Sequence, residues 1–404
     1  MIITLLVVIF AAAFYLYKQT FGYWKKLGVP DFPLTFPHGN IKGVGKEFHL
    51  SQLLVNYYEK TKDIGAAFSG LYFFSRPTLL VVDLDLVKTI LVKDFNVFPN
   101  RGIYYNEKDD PVSAHLFSLE GDPWRNLRQK LSPTFTSGKL KMMFGTISDV
   151  AEKLLVVIDK QIEQTGQFEV KDTLARFTTD VIGNIAFGID CNSLEDKDSK
   201  FYEMGTKVFN TRSGLIRRLL TTVFKGLALK LHVKGLPEDI SSFYLDITKE
   251  SVEYREKNPH IKRQDFMNLL VQLKKENLVT VEQIAAQSFI FLLAGYETSS
   301  STMTYCMFEF SINEEIQEKA RQCVRDAIEK HGSLTYDAVA DMDYLEYCVD
   351  ETLRKYPTKL GLAKMLLKYK FTLDRTKTAV PLKIIPAAFV LSPAERIYLN
   401  IEKI

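Results

Sequence analysis

The feature that most constrains this chain is a long helical stretch with a change of chemistry at its middle. Thr280 and Gln283 fit the Thr-x-x-Gln capping box, and the pattern after them stays helical to about Phe310. Inside that stretch the apolar run SFIFLL passes into Ala294-Gly295-Tyr296-Glu297-Thr298 and then three serines. A mid-helix Gly costs about 1 kcal/mol against Ala, so Gly295 needs a packing reason. Thr298 sits where its hydroxyl can bond back to the Ala294 carbonyl and open the helix. Taken alone, the segment reads as a tight helix crossing with a Ser/Thr-rich face.

Two other helical pairs stand out. Trp124 and Arg128, at i and i+4, share a face, and on their own read as a cation–π pair or surface packing. Glu351 and Arg354, at i and i+3, make a common ion pair worth about 0.2–0.5 kcal/mol on an exposed helix. The rest of the body reads as a mainly α domain with a small β-sheet. Residues 66–83 suggest two strands turning at Ser75-Arg76-Pro77, and residues 83–92 a helix. Residues 102–120 read as a long loop, after which Asp122 and Pro123 suggest a helix cap and first turn. Residues 314–330 and 342–356 are helical, and the tail after Phe371 reads as strands with proline breaks.

Composition narrows the function classes. With 46% hydrophobic and 25% charged residues the 404-residue chain is globular, and its length allows one to three domains. A net charge of +3 gives no concentrated basic face for nucleic acid. Cys191, Cys306, Cys323 and Cys348 form no zinc-type spacing and suit a reducing compartment. The six histidines are scattered.

Residues 1–17 are almost wholly apolar, at the short end of the about 17–25 residues that span a membrane. Aromatic residues from Phe14 to Trp24 suit an interface belt, and Lys18, Lys25 and Lys26 put the following body on the cytosolic side. Ala11-Ala12-Ala13 could mimic a signal-peptidase site, yet a cleaved signal normally starts with a basic region, which Met1-Ile2-Ile3 does not supply. The organisation expected is a membrane anchor helix over residues 1–20, a proline-rich linker over 21–45 and one domain over 46–404.

In their order and separation, with this anchor and linker, the three motifs resemble a microsomal cytochrome P-450, a haem-thiolate monooxygenase, most like the insect detoxification type. The resemblance implies the cytochrome P-450 fold and a haem cofactor. Trp124 and Arg128 would then bind a haem propionate, and Ala294 and Gly295 would line the haem. Glu297 and Thr298 would deliver the protons that split the O–O bond, and Glu351 with Arg354 would support the core. It also implies NADPH electrons through a flavin-containing reductase, a lipophilic small-molecule substrate, and an endoplasmic reticulum membrane with a single N-terminal anchor. Arg125, Arg128, Lys130, Lys139 and Lys141 would face the reductase.

The resemblance runs to Pro357 and resumes at about Thr358 with the family's C-terminal segment. The intervening part, including the Phe-x-x-Gly-x-Arg-x-Cys-x-Gly loop whose cysteine holds the iron, is absent from the sequence. No axial cysteine and no metal ligand is therefore assigned. None of the four cysteines is flanked by Gly, and the last three fall in helical stretches. The expectation is a fold incomplete near its C-terminus and a chain inactive as it stands. The alternatives are a non-catalytic membrane-anchored remnant or decoy, or the product of exon skipping or a gene-model error. The strands of 66–83 would lose sheet partners, and the helix after Thr358 would be displaced from its family position. Residues 212–234 read either as an amphipathic helix pair or as a segment dipping into the membrane surface, with Phe117 and Phe209 as candidate pocket residues.

Overall fold

The computed structural model describes residues 17–211, 214–261, 263–352, 365, 369–380, 382, 385–386 and 392–403. Residues 1–16 of the expected anchor, Arg354, the Pro357–Thr358 junction and most of the helix expected after it lie outside the described residues. The chain divides into two compact units.

Among the described residues the first unit comprises 17–104, 214–233 and 385–386. Helix α1 (Leu50–Asp63) is capped by His49, whose N–H donates to Gln52 Oε1 at 2.8 Å. Strands β1 (Phe68–Phe73) and β2 (Arg76–Val81) form an antiparallel hairpin, with Phe73 opposite Arg76. The turn lies on Phe74 and Ser75, one residue earlier than the sequence suggests, because Phe74 takes a positive φ of 55°. Among the described residues the hairpin has no third strand, and Asp31 and Gly39 make isolated bridges to β1. Pro77 thus occupies an edge strand, where a missing N–H is tolerated. Helix α2 (Leu84–Lys88) is capped by Asp83, whose Oδ1 accepts the Leu86 N–H at 2.8 Å. Two short helices, Leu215–Thr222 and Lys225–Lys230, complete the unit as an amphipathic pair.

The second unit holds residues 105–211, 234–352 and most of the tail. Helix α3 (Gly121–Leu131) is preceded by the extended residue Glu120, so Asp122 is not its cap. Asp122 instead lies in the first turn, where a carboxylate favours the helix dipole. Then follow α4 (Ser137–Thr165), β3 (Gln167–Glu169), α5 (Val170–Ile182) and α6 (Lys200–Asn210). Helices α7 (Glu238–Lys257), α8 (Phe266–Lys275), α9 (Val281–Ile312), α10 (Glu314–His331) and α11 (Asp343–Thr352) come next. Strands β4 (Tyr369–Leu373) and β5 (Tyr398–Lys403) pair antiparallel, and β5 also pairs with β3.

The capping box of α9 forms as its sequence predicts. Gln283 N–H donates to Thr280 Oγ1 at 3.2 Å and Thr280 N–H to Gln283 Oε1 at 3.1 Å. At 32 residues this helix is about 48 Å long and serves as the axis of the unit. Its Met303, Met307 and Phe310 bury against Leu154 of α4, Phe177 of α5 and Leu399 of β5. Near its start, Phe289 packs with Tyr244 at a ring separation of 5.3 Å. Each such buried side chain stabilises the fold by roughly 1.5–3 kcal/mol. The buried pair Arg255–Asp265 joins α7 to α8, and Asp265 also accepts the Asn268 N–H at 2.9 Å to cap α8. No helix among the described residues is long and apolar enough to cross a membrane.

Candidate functional site

The centre of α9 presents an open stripe on a helix otherwise sunk in the core. Ala294 and Thr298, one turn apart, are both exposed, while Tyr296, Ser299 and Ser300 are buried. Thr298 Oγ1 donates to the Ala294 carbonyl, as the sequence suggests. The helix does not open there: it is continuous through the motif. A carbonyl oxygen has two lone pairs, so the hydroxyl adds to the Ala294 oxygen without displacing the helical bond.

Gly295 has the packing reason its position demands. A Cβ there would lie 2.5 Å from Ile182 Cδ1, so the missing side chain lets α5 and α9 approach. Ala294 and Gly295 also line an apolar cavity of about 350 Å³. Trp124, Arg128, Glu297 and Thr298 are not among its walls.

Glu297 is half-buried, and its Oε1 collects two hydroxyls. Ser301 Oγ, one turn on, donates from 3.4 Å, and Ser392 Oγ donates from the tail. The two serine oxygens lie 3.3 Å apart. Ser392 was not foreseen from sequence, because it stands 95 residues from Glu297 with no local motif around it.

On α3, Trp124 is half-buried and joins the apolar cluster of Leu127, Leu131 and Phe266. Phe291, one turn before Ala294, packs on the same cluster, which ties the Trp124 helix to the open stripe. Arg128 is exposed, and no carboxylate among the described residues pairs with it. Its guanidinium offers planar donors to an oxyanion. Glu351 is exposed on α11, and its expected partner Arg354 lies outside the described residues. Phe117 is exposed, and Phe209 packs on Tyr296 at 5.5 Å.

Iron ligation by cysteine needs a thiolate. Cys191 packs against Gly183, and burial holds its thiol well above the ordinary range. Cys306 Sγ lies 3.3 Å from Thr352 Oγ1, and burial pushes it up to about 12. Burial pushes Cys348 up to about 11. Cys306, Cys323 and Cys348 all lie within helices, as expected. Among the described residues no group of three or more His, Cys, Asp or Glu could hold a metal ion. Burial thus sets Cys191, Cys306 and Cys348 against the thiolate that an iron ligand requires.

The comparisons with known proteins agree on one family. The cytochrome P-450 family model matches residues 30–380. Cytochrome P-450 6A1 of Musca domestica is 41% identical over 367 residues, covering 88% of this chain and 72% of that protein. Cytochrome P-450 6a2 of Drosophila melanogaster is 41% identical over 372 residues, covering 88% and 73%. Probable cytochrome P-450 6a14 of Drosophila melanogaster is 40% identical over 378 residues, covering 88% and 74%. With a family match over most of its length and relatives at this identity, the chain belongs to the cytochrome P-450 family and is of the insect type.

Proposed function

We propose that this chain is a P-450 monooxygenase scaffold that keeps its oxygen-side residues, lacks its iron donor and does not complete turnover as it stands. Members of the family are haem monooxygenases that draw electrons from a reductase and act on lipophilic substrates. The observation that carries the reading is the state of the cysteines: none lies in a Phe-x-x-Gly-x-Arg-x-Cys-x-Gly loop, and burial keeps Cys191, Cys306 and Cys348 protonated.

Haem, when bound, supplies the oxygen-activating chemistry of this family. The chain's own residues have narrower tasks. Trp124 and Arg128 offer an indole N–H and a guanidinium to carboxylates. Ser301 and Ser392 hold the Glu297 carboxylate, and in this reading that acid and the hydroxyl of the next residue, Thr298, serve proton delivery. Glu351 would need Arg354 to support the core.

The proposed location is the endoplasmic reticulum membrane, with the body on the cytosolic side. Support comes from apolar residues 1–17 with the lysines after them, and from exposed Ile216, Phe224 and Leu231 beside Arg217, Arg218 and Lys230. Exposed Arg125 and Arg128, with half-buried Lys139, suit an acidic reductase. Lys141 and Lys130 contribute less, since they bond Asp337 and the Leu278 carbonyl.

The test is the reduced carbon-monoxide spectrum of the full chain expressed with excess haem precursor. No thiolate-type Soret band is expected, and its appearance would overturn the reading. A second reading, a shortened product of a gene for a complete enzyme, is favoured by the 72–74% coverage of the relatives. Sequencing the transcript across the Pro357 and Thr358 codons tests it: additional coding sequence there, including the cysteine loop, supports it.

A further inference from the structure

We propose that the second unit carries a binding site for a phosphate ester with free hydroxyl groups, of the sugar-phosphate class. It lies in the polar cavity bounded by the end of α4, β3, the start of α5 and the tail at β5. The cavity holds about 790 Å³, within the range of about 300–1,000 Å³ typical of small-molecule sites. None of its wall residues lines the apolar cavity at Ala294 and Gly295, and none is assigned above to haem, proton delivery or the reductase.

The charge of the walls selects an anion. Lys160, Arg176, Lys197, Lys377 and Arg396 stand there with Glu169, Asp172 and Glu195. Arg176 is already committed: its Nε donates to Asp172 Oδ2 at 2.8 Å and its Nη1 to the Ser193 carbonyl at 2.9 Å. Lys377 donates to the side-chain oxygen of Gln167, which is neutral. Lys160 and Lys197 are exposed, and their ammonium groups meet no carboxylate among the described residues. Ammonium groups so placed, with the planar guanidinium of Arg396, suit a doubly charged phosphate better than a single carboxylate.

A separate feature of the same cavity calls for a hydrogen-bond donor. Glu169 Oε2 accepts the Asp172 N–H at 2.8 Å, whereas Glu169 Oε1 is buried and accepts no hydrogen bond among the described residues. Burial pushes this carboxyl up, and the charge of Arg396 opposes the shift. Gln161, on the same wall, does not supply the donor, since its Nε2 already donates to Thr173 Oγ1 at 2.9 Å. A buried acceptor left unfilled is costly, and a ligand hydroxyl would satisfy it. An anion without hydroxyls would bring only repulsion to Glu169. The walls therefore match a molecule with a phosphate for the lysines and a hydroxyl for Glu169. The site does not rest on the monooxygenase reading, and either can fail without the other.

The experiment is equilibrium dialysis of glucose 6-phosphate against the purified full chain, with glucose and methyl phosphate in parallel. One saturable equivalent of glucose 6-phosphate is expected, with glucose and methyl phosphate each at least tenfold weaker. Glu169→Gln keeps an oxygen for the α5 cap and should weaken glucose 6-phosphate about tenfold. Lys160→Ala combined with Lys197→Ala, both at exposed wall positions, should also weaken it about tenfold while circular dichroism stays unchanged. Thr298→Val should leave it within twofold. The proposal is overturned by a lack of saturable glucose 6-phosphate binding to the unaltered chain, by equal affinity for glucose or for methyl phosphate, or by unchanged affinity in either wall variant.

Discussion

Ser392 Oγ donates to Glu297 Oε1 and so ties the tail before β5 to the middle of α9. The bond matters because Glu297 is one of the two residues proposed to deliver protons, and Ser392 comes from the segment beyond the junction. Without it, the long 3.4 Å contact with Ser301 would be the carboxylate's remaining side-chain bond among the described residues.

Ser392→Ala should therefore loosen the tail. Hydrogen bonds to charged groups contribute about 1.5–3 kcal/mol when well shielded, and Glu297 is only half-buried, so a loss of about 1 kcal/mol is expected. Urea unfolding would register it as a lower midpoint with an unchanged slope. Amide exchange over residues 398–403 should quicken. Unaltered exchange there would mean the serine does not anchor the strand.

Gly295 and Ile182 define how closely α5 and α9 approach. Gly295→Ala gains about 1 kcal/mol of helix propensity but forces Ile182 off its rotamer, at about 0.5–1.5 kcal/mol, so the two nearly cancel. Gly295→Val should destabilise by about 1–3 kcal/mol through overpacking. Adding Ile182→Val to Gly295→Ala should recover stability relative to Ile182→Val alone, and thermal melts of the variants would decide it.

The Arg255–Asp265 pair is almost fully buried, with two bonds of 3.0 and 2.6 Å. Asp265→Ala strands the guanidinium and removes the α8 cap, and a loss of about 3–5 kcal/mol is expected. The double variant Arg255→Met with Asp265→Ser should lose clearly less, because no unpaired charge stays buried and serine still caps. A double-mutant cycle of Arg255→Met, Asp265→Ser and the two combined, read by denaturant titration, measures the coupling, and a value near zero would contradict the buried pair.

His115 gives the fold a pH dependence. Burial holds its imidazole down to about 4, against an ordinary value of 6.5, with Ser118 Oγ 3.3 Å from Nδ1. The unfolded chain then binds the proton more readily than the folded one below about pH 6.5. Stability from this group is full above that pH and declines as pH falls toward 4, by roughly 3 kcal/mol in total. His115→Gln should flatten that part of the profile in unfolding measurements at pH 7.5, 6, 5 and 4.5. A slope that persists in the variant would assign it to other groups.

Much of the local structure is legible in the residues themselves. Thr280 with Gln283, the helix after Asp83 and the two strands over 66–83 act through neighbours in sequence, so pattern suffices to read them. Asp122 misled because its helix boundary depends on the backbone of Glu120, which no side-chain type announces. The family, too, lies in the sequence, since it rests on order and spacing: Trp124 before Ala294-Gly295-Tyr296-Glu297-Thr298 before Glu351.

Sequence by itself thus determined the helical class, the family and the missing cysteine loop, because each is a matter of composition, periodicity or a motif. Only the tertiary structure decided that Gly295 makes room for Ile182, that Ser392 holds Glu297, and that aromatic residues from Phe135 to Tyr336 enclose a cavity. Those relationships join residues far apart along the chain, and their energies come from contact and burial, which exist only once the helices have packed.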